Sequence, residues 1–193
     1  ERNSPAGGLA DAVLESPVEP SWRNAIWTDD DTLLAPTRNE LWQWDLSQTD
    51  SGKVTVTQFL SPDKIMSLAT LGNSGMLVEG GSDTMPDVRV RRSSGRRPIA
   101  QTLHGHADAV RCVAGLGTSV ILSGSEDGTL REWNIANTEH IGERVPTSAK
   151  VSCFAWAPSQ QELVVGLENG EVVKIDRRTQ QPTATLAQFD DRI

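Results

Sequence analysis

Between residues 102 and 135, short apolar and β-branched runs alternate with turn-forming residues. Val110–Ala114 and Val120–Ser123 are compact apolar runs. Thr129–Ile135 alternates instead, with Leu130, Glu132 and Asn134 on one side and Arg131, Trp133 and Ile135 on the other. This pattern predicts three β-strands. Glu126-Asp127-Gly128-Thr129 joins the last two as a hairpin turn, because Asp tolerates and Gly prefers the positive φ that such turns need. Three strands this short cannot cover their own apolar faces, so the pattern also predicts neighbours of the same kind.

The pattern recurs along the chain. Val151–Arg178 repeats it, with Ile175 placed 42 residues after Trp133 and Cys153 placed 41 after Cys112. Leu163–Leu167 is its second strand, Glu168-Asn169-Gly170-Glu171 its turn and Val172–Ile175 its third strand. Upstream, Leu41–Leu46 is another third strand. Val54–Leu60, Ile65–Thr70 and Asp87–Val90 form a longer copy in which 72–81 reads as a flexible loop. A period of about 41 to 47 residues is the spacing of a propeller blade, not of ankyrin, tetratricopeptide or leucine-rich repeats. The expected layout is a linker or strap over 1–20 and blades over 21–50, 51–100, 101–145 and 146–182. The outer strand of a further blade is expected from Thr183–Ala187.

Gly105-His106, Ser123-Gly124-Ser125, Asp127, Gly128-Thr129 and Trp133-Asn134 resemble a WD40 repeat, with Asn134 where the family usually has Asp. The resemblance implies an all-β β-propeller of WD40 type, with about four blades visible and most often seven in a closed ring. It also implies that His106, Ser123, Asp127 and Trp133 form a hydrogen-bonded structural tetrad inside one blade. A neutral imidazole suits that role, having one donor and one acceptor nitrogen. The other repeats depart from the pattern. The last has Asn169 for the Asp, Ile175 for the Trp and no His. The first keeps Trp44-Asp45 but has Arg38 at the turn, and the second has neither Trp nor His. By position, Ala107, Ala109 and Glu126 would face partners, although alanines make poor anchors. Ile175-Asp176-Arg177-Arg178 is distantly similar to the Trp-Asp-x-Arg ending of cullin-type ubiquitin-ligase substrate receptors.

Composition changes this picture little. The 193 residues are 37% hydrophobic and 5% aromatic, with 16 glycines and 10 prolines, which suits many short strands and turns. No apolar run approaches 18 residues and no basic-then-apolar segment opens the chain, so no membrane insertion is expected. Cys112 and Cys153 read as buried thiols rather than a disulfide, which points to an intracellular setting, cytoplasmic or nuclear. Four blades and part of another suggest either a piece of a longer protein or a ring completed by unseen blades or another chain.

Charge supplies one further feature. In a chain of net charge -8, Arg89, Arg91, Arg92, Arg96 and Arg97 cluster within nine positions. Three readings stand: docking of an acidic protein segment, contact with nucleic-acid phosphates, and a solvated strand. The acidic bulk of the molecule and the lack of interleaved aromatics count against nucleic acid. Arg91-Arg92-Ser93-Ser94 also resembles a basophilic kinase site, which makes Ser93 and Ser94 candidate phosphosites. No cofactor or metal site is indicated. Asp29-Asp30-Asp31 lacks the alternate spacing and glycine of a calcium loop, and His104 and His106 lack further ligands at metal spacing. Ser123, His106 and Asp127 lack the nucleophile elbow of a hydrolase. The expected function is a non-catalytic scaffold for other protein subunits in a larger intracellular complex. The alternatives are a substrate-recognition subunit of a cullin-type ligase and a subunit of an RNA-associated complex.

Overall fold

Each short alternating run forms a strand by pairing with the next through a tight turn, and every fourth strand ends a sheet. The computed structural model describes residues 24–29, 31–48, 54–93, 99–136, 139–157, 161–191 and 193. The first sheet holds β1 (Ile26–Trp27), β2 (Thr32–Thr37), β3 (Glu40–Asp45) and β4 (Thr55–Leu60). The second holds β5 (Ile65–Thr70), β6 (Met76–Gly81), β7 (Val88–Arg92) and β8 (Ile99–Leu103). The third holds β9 (Val110–Leu116), β10 (Val120–Ser125), β11 (Thr129–Asn134) and β12 (Glu139–Pro146). The fourth holds β13 (Val151–Ala157), β14 (Glu162–Leu167), β15 (Glu171–Asp176) and β16 (Gln181–Gln188). All four are antiparallel meanders, and each packs on the next without closing a ring.

Apolar side chains from facing sheets make the core at each seam. Leu34 and Leu41 meet Ile65, Leu68 and Leu77. Val78, Val88 and Val90 meet Val110, Ile121 and Trp133. Leu122 and Leu130 meet Leu163, Val165 and Ile175. The central strands are therefore covered on both faces. Close approach at the seams requires small residues. A Cβ at Gly124 would lie 2.6 Å from Val151 Cγ1 and 2.7 Å from Cys112 Sγ. In the hairpin turn, Gly128 adopts φ 74°, as the turn chemistry requires.

Three strand placements differ from the sequence expectation. Val54–Leu60 does not open the second blade: Thr55–Leu60 pairs with β3 from Asp45↔Thr55 to Glu40↔Leu60 and closes the first sheet. Thr183–Ala187 likewise belongs to β16, which pairs with β15 in the fourth sheet. The period was legible, but the phase was not, because the strand that follows each third strand folds back onto it. Residues 76–81 are not a flexible loop. They form β6, in which Leu77 to Gly81 are buried, because both faces of this central strand meet a neighbouring sheet. The linker at 1–20, Asp30, Ser94, Arg96 and Arg97 lie outside the described residues.

Candidate functional site

The third sheet brings together four polar groups supplied by separate elements. His106 comes from the loop between β8 and β9, Ser123 from β10, Asp127 from the β10–β11 turn and Trp133 from β11. His106 Nδ1 lies 2.9 Å from Asp127 Oδ2, and its Nε2 lies 2.8 Å from Ser123 Oγ. Trp133 Nε1–H donates to Ser123 Oγ at 2.8 Å. Asp127 also accepts from the Ala107 N–H at 3.0 Å and from Thr129 Oγ1. These bonds run in one direction if Nδ1 carries the imidazole proton: Trp133 to Ser123, Ser123 to His106, His106 to Asp127. Burial pushes the Asp127 carboxyl up. The hydrogen bonds from His106, Thr129 and Ala107 outweigh it and hold the group well below the usual carboxylate range.

The other three sheets answer the same structural demand with different chemistry. Strand register makes Glu79 and Arg91 of the second sheet the equivalents of Ser123 and Trp133, and Ser61 precedes β5 by the same four residues by which His106 precedes β9. There, Ser61 Oγ donates to Glu79 Oε2 at 3.0 Å, Arg91 Nη2 donates to the same oxygen at 3.1 Å, and Arg91 Nε lies 2.7 Å from Glu79 Oε1. Arg89 Nε joins at 3.4 Å. In the fourth sheet Val165 and Ile175 stand in the Ser and Trp places, both buried. Replacing both partners of a hydrogen bond by apolar groups leaves no orphan, which explains how this sheet tolerates the loss. The first sheet keeps Trp44 with Ala35 in the serine place.

Sequence reasoning missed the Ser61–Glu79–Arg91 network. Its signal was an acidic residue before Gly80-Gly81 with arginines at alternate positions of the next strand. Consequently Arg89 and Arg91 are not surface docking groups. Each is 1% exposed, and the two surround a Glu79 that is fully buried. An alternating Val-Arg strand reads as half-solvated only if one face meets water, and here neither does. Arg92 is exposed. Ser93 is half-buried, and its N–H donates to the Gly75 carbonyl at 2.7 Å. The inward-facing Arg91 removes one basic group from the kinase-like motif.

On the loop face, Ala107 is exposed whereas Ala109 is buried, so Ala109 offers no contact surface. Glu126 is engaged across the seam: Lys150 Nζ donates to its Oε2 at 2.8 Å, and Arg111 Nε lies 3.4 Å from its Oε1. The hydrogen bond to Glu126 raises the Lys150 pKa. Arg111, Glu126, Lys150, Ser152, Glu168 and Ile193 border a small solvent-open cleft of about 90 Å³. At the far end of the strands, Arg177 bridges the third and fourth sheets, with Nε and Nη2 at 2.8 and 2.6 Å from Glu132 and the guanidinium over Trp156. Arg178 is exposed. Both cysteines are free. Cys112 is half-buried, and desolvation pushes its thiol well up, whereas Cys153 is exposed on the outer flank of the fourth sheet rather than buried. No group of three or more His, Cys, Asp or Glu among the described residues is placed to hold a metal. No helix among them is long and apolar enough to cross a membrane.

The family model described as "WD domain, G-beta repeat" matches residues 97–134, the stretch that carries β8 to β11 and all four members of the hydrogen-bonded chain. The third sheet thus carries a stretch that matches a WD40 repeat. Among curated proteins it is similar to human Ribosome biogenesis protein BOP1, 36% identical over 80 residues, which is 40% of this chain and 11% of that protein. It is also 31% identical over 64 residues to the WD repeat-containing protein WDS homolog of Arabidopsis thaliana, covering 33% of this chain and 12% of that protein. A third match, Protein ANTHESIS POMOTING FACTOR 1 of Arabidopsis thaliana, is 43% identical over 44 residues, 23% of this chain and 13% of that one. The matched region spans only about a tenth of these relatives' own lengths. The matched stretch supplies β9 to β11 of the third sheet, and the other three sheets share that sheet's four-stranded antiparallel form.

Proposed function

We propose that this WD40 chain is a non-catalytic scaffold for protein partners within a larger intracellular complex, its ring completed by further blades in cis or from another chain. The observation that carries this reading is the state of the two end sheets. At the inner seams, Gly80 and Gly124 pack on the first residues of the next inner strand, Val110 and Val151. At Gly166 the equivalent neighbour is the side chain of Ile193, and no further sheet packs on that face among the described residues. Large apolar groups stand exposed on these end sheets: Trp27 at 56% and Leu60 at 71% in the first, Leu186 at 53% and Phe189 at 54% in or beside β16 of the fourth. Such surface is costly in water and marks places where protein covers protein.

The polar constellations support a framework rather than chemistry. Ser123 is fully buried, and its Oγ already meets His106 and Trp133, so no substrate carbonyl reaches it. A second reading, membership in an RNA-associated assembly, is favoured by the 80-residue similarity to a protein named for ribosome biogenesis, and it would imply a nuclear location. The test is the native mass of the full-length protein purified gently from its source, before and after ribonuclease treatment. A protein assembly of defined stoichiometry that survives the nuclease supports the scaffold. Dissolution by nuclease favours the RNA-associated reading, and a monomer in all conditions sinks both.

A further inference from the structure

The outer edges of the four sheets are not alike. β8 is bulged against β7 between Val90 and Arg91, and β12 is bulged against β11 between Leu130 and Glu132 and ends on Pro146. β16 has two register shifts and carries Pro182. Bulges and prolines are the devices by which proteins stop a sheet edge from pairing with another chain. β4 has none. Its register on β3 is regular over all six residues, and its sequence Thr-Val-Thr-Gln-Phe-Leu holds no charge and no proline. Five of the six side chains are exposed, with Val56 at 44% and Leu60 at 71%.

We propose that β4 is a strand-addition site, at which an extended, uncharged segment of a partner protein pairs as a fifth strand of the first sheet. The phase of the ladder identifies the groups that would bind. Ser61 N–H donates to the Asn39 carbonyl at 2.7 Å. The same register carries that bonded phase to Leu41↔Phe59, Gln43↔Thr57 and Asp45↔Thr55. Alternate residues of an antiparallel strand aim both main-chain groups to the same side. Thr55, Thr57 and Phe59 therefore face β3, whereas Val56, Gln58 and Leu60 aim outward. The Leu60 carbonyl accepts from Arg91 Nη1 at 3.4 Å. The N–H and C=O of Val56 and Gln58 and the N–H of Leu60 have no described strand beside them.

Size and charge select the occupant. Two copies pairing edge to edge over six residues would bury less than the roughly 1,000 Å² that a specific dimer needs, and two chains of net charge -8 repel. A segment from a partner gains the same main-chain bonds without that repulsion, and apolar residues at alternate positions would lie against Val56 and Leu60. The inference names a partner chemistry for the scaffold proposed above and rests on that reading.

The probe is a lysine-flanked peptide of alternating threonine and valine, titrated into the full-length protein and followed by fluorescence anisotropy and amide hydrogen exchange. Gln58→Pro removes one outward N–H and leaves the β3–β4 ladder intact. Val56→Lys adds a charge on the edge and serves for the comparison if Gln58→Pro melts early. We expect saturable binding, slowed exchange at Val56, Gln58 and Leu60, and affinity weakened by about tenfold or more in each variant, with the melting midpoint retained. Four results overturn the proposal: equal binding by both variants, protection on another strand, edge amides already protected without peptide, or a dimer that Gln58→Pro dissolves. If peptide binding is untouched by the variants while the native assembly persists, strand addition fails and the scaffold stands. A monomer in every condition removes the scaffold whatever the peptide does.

Discussion

His106 joins a carboxylate to a hydroxyl inside the third sheet, and its removal would take one hydrogen-bond partner from each of Asp127 and Ser123. His106→Ala is therefore expected to destabilise by about 3 kcal/mol, measured by urea unfolding, because bonds to a charged group and ring packing are lost together. Trp133→Phe keeps most of the ring but deletes the Nε1–H bond to Ser123, and should cost about 1 to 2 kcal/mol. pH dependence follows from the carboxylates. Asp127, Asp63, Glu171 and Asp176 are all held below their ordinary values; for Asp127 and Asp63 burial pushes up and hydrogen bonds outweigh it. A carboxyl depressed in the folded state contributes stability above its unfolded pKa, about 4, and loses it as pH falls through the folded value. Melting midpoints should therefore be level from neutral pH down to about 5 and decline below about 4. Asp127→Asn should lower stability at neutral pH and flatten that acid-side decline.

Within the sheets, one structural position is filled in four ways: His-Ser-Trp, Ser-Glu-Arg, Val with Ile, and Ala with Trp. The ionic version is the most sensitive to single changes. Glu79→Ala would leave Arg89 and Arg91 buried without their carboxylate, at a cost of about 3 to 5 kcal/mol. Replacing Glu79, Arg89 and Arg91 together by Met should cost much less than the three single substitutions combined, because no charge is then left uncompensated. Urea titrations of the singles and the triple check this. The strands themselves were legible in the sequence. β10, β11, β14 and β15 lie where alternation and turn residues put them, since a hairpin with a Gly at positive φ needs only local information. Two outer strands, β4 and β16, were assigned to the wrong neighbours. Nothing in the composition of Thr55–Leu60 or Gln181–Gln188 says whether a strand folds back or moves on.

The whole arc depends on seams, and Glu132–Arg177 ties one of them. Removing either side chain should cost about 1 kcal/mol, with a double-mutant cycle showing that the two effects are coupled, because both groups are only partly solvated. If the third and fourth sheets unfold as one unit, Arg177→Ala should shift the exchange of amides in β11 and β15 together. Independent shifts would show that the seam carries little. The end sheets are where further protein is expected, and the exposed Phe189 and Leu186 should lose accessibility to radical footprinting in the native assembly.

By itself the sequence determined the all-β class, the repeat period, the hairpin turns and the four members of the hydrogen-bonded chain, since each rests on contacts between near neighbours or on one recognisable motif. Only the tertiary structure decided the rest. Arg89 and Arg91 look like a surface patch until the second and third sheets close over them and Glu79 meets them from the next strand. Ala109 lies beneath the loop face, and Glu126 is held by Lys150 across a seam. These outcomes depend on which faces of a strand are covered, and that follows from packing between repeats rather than from the pattern within one.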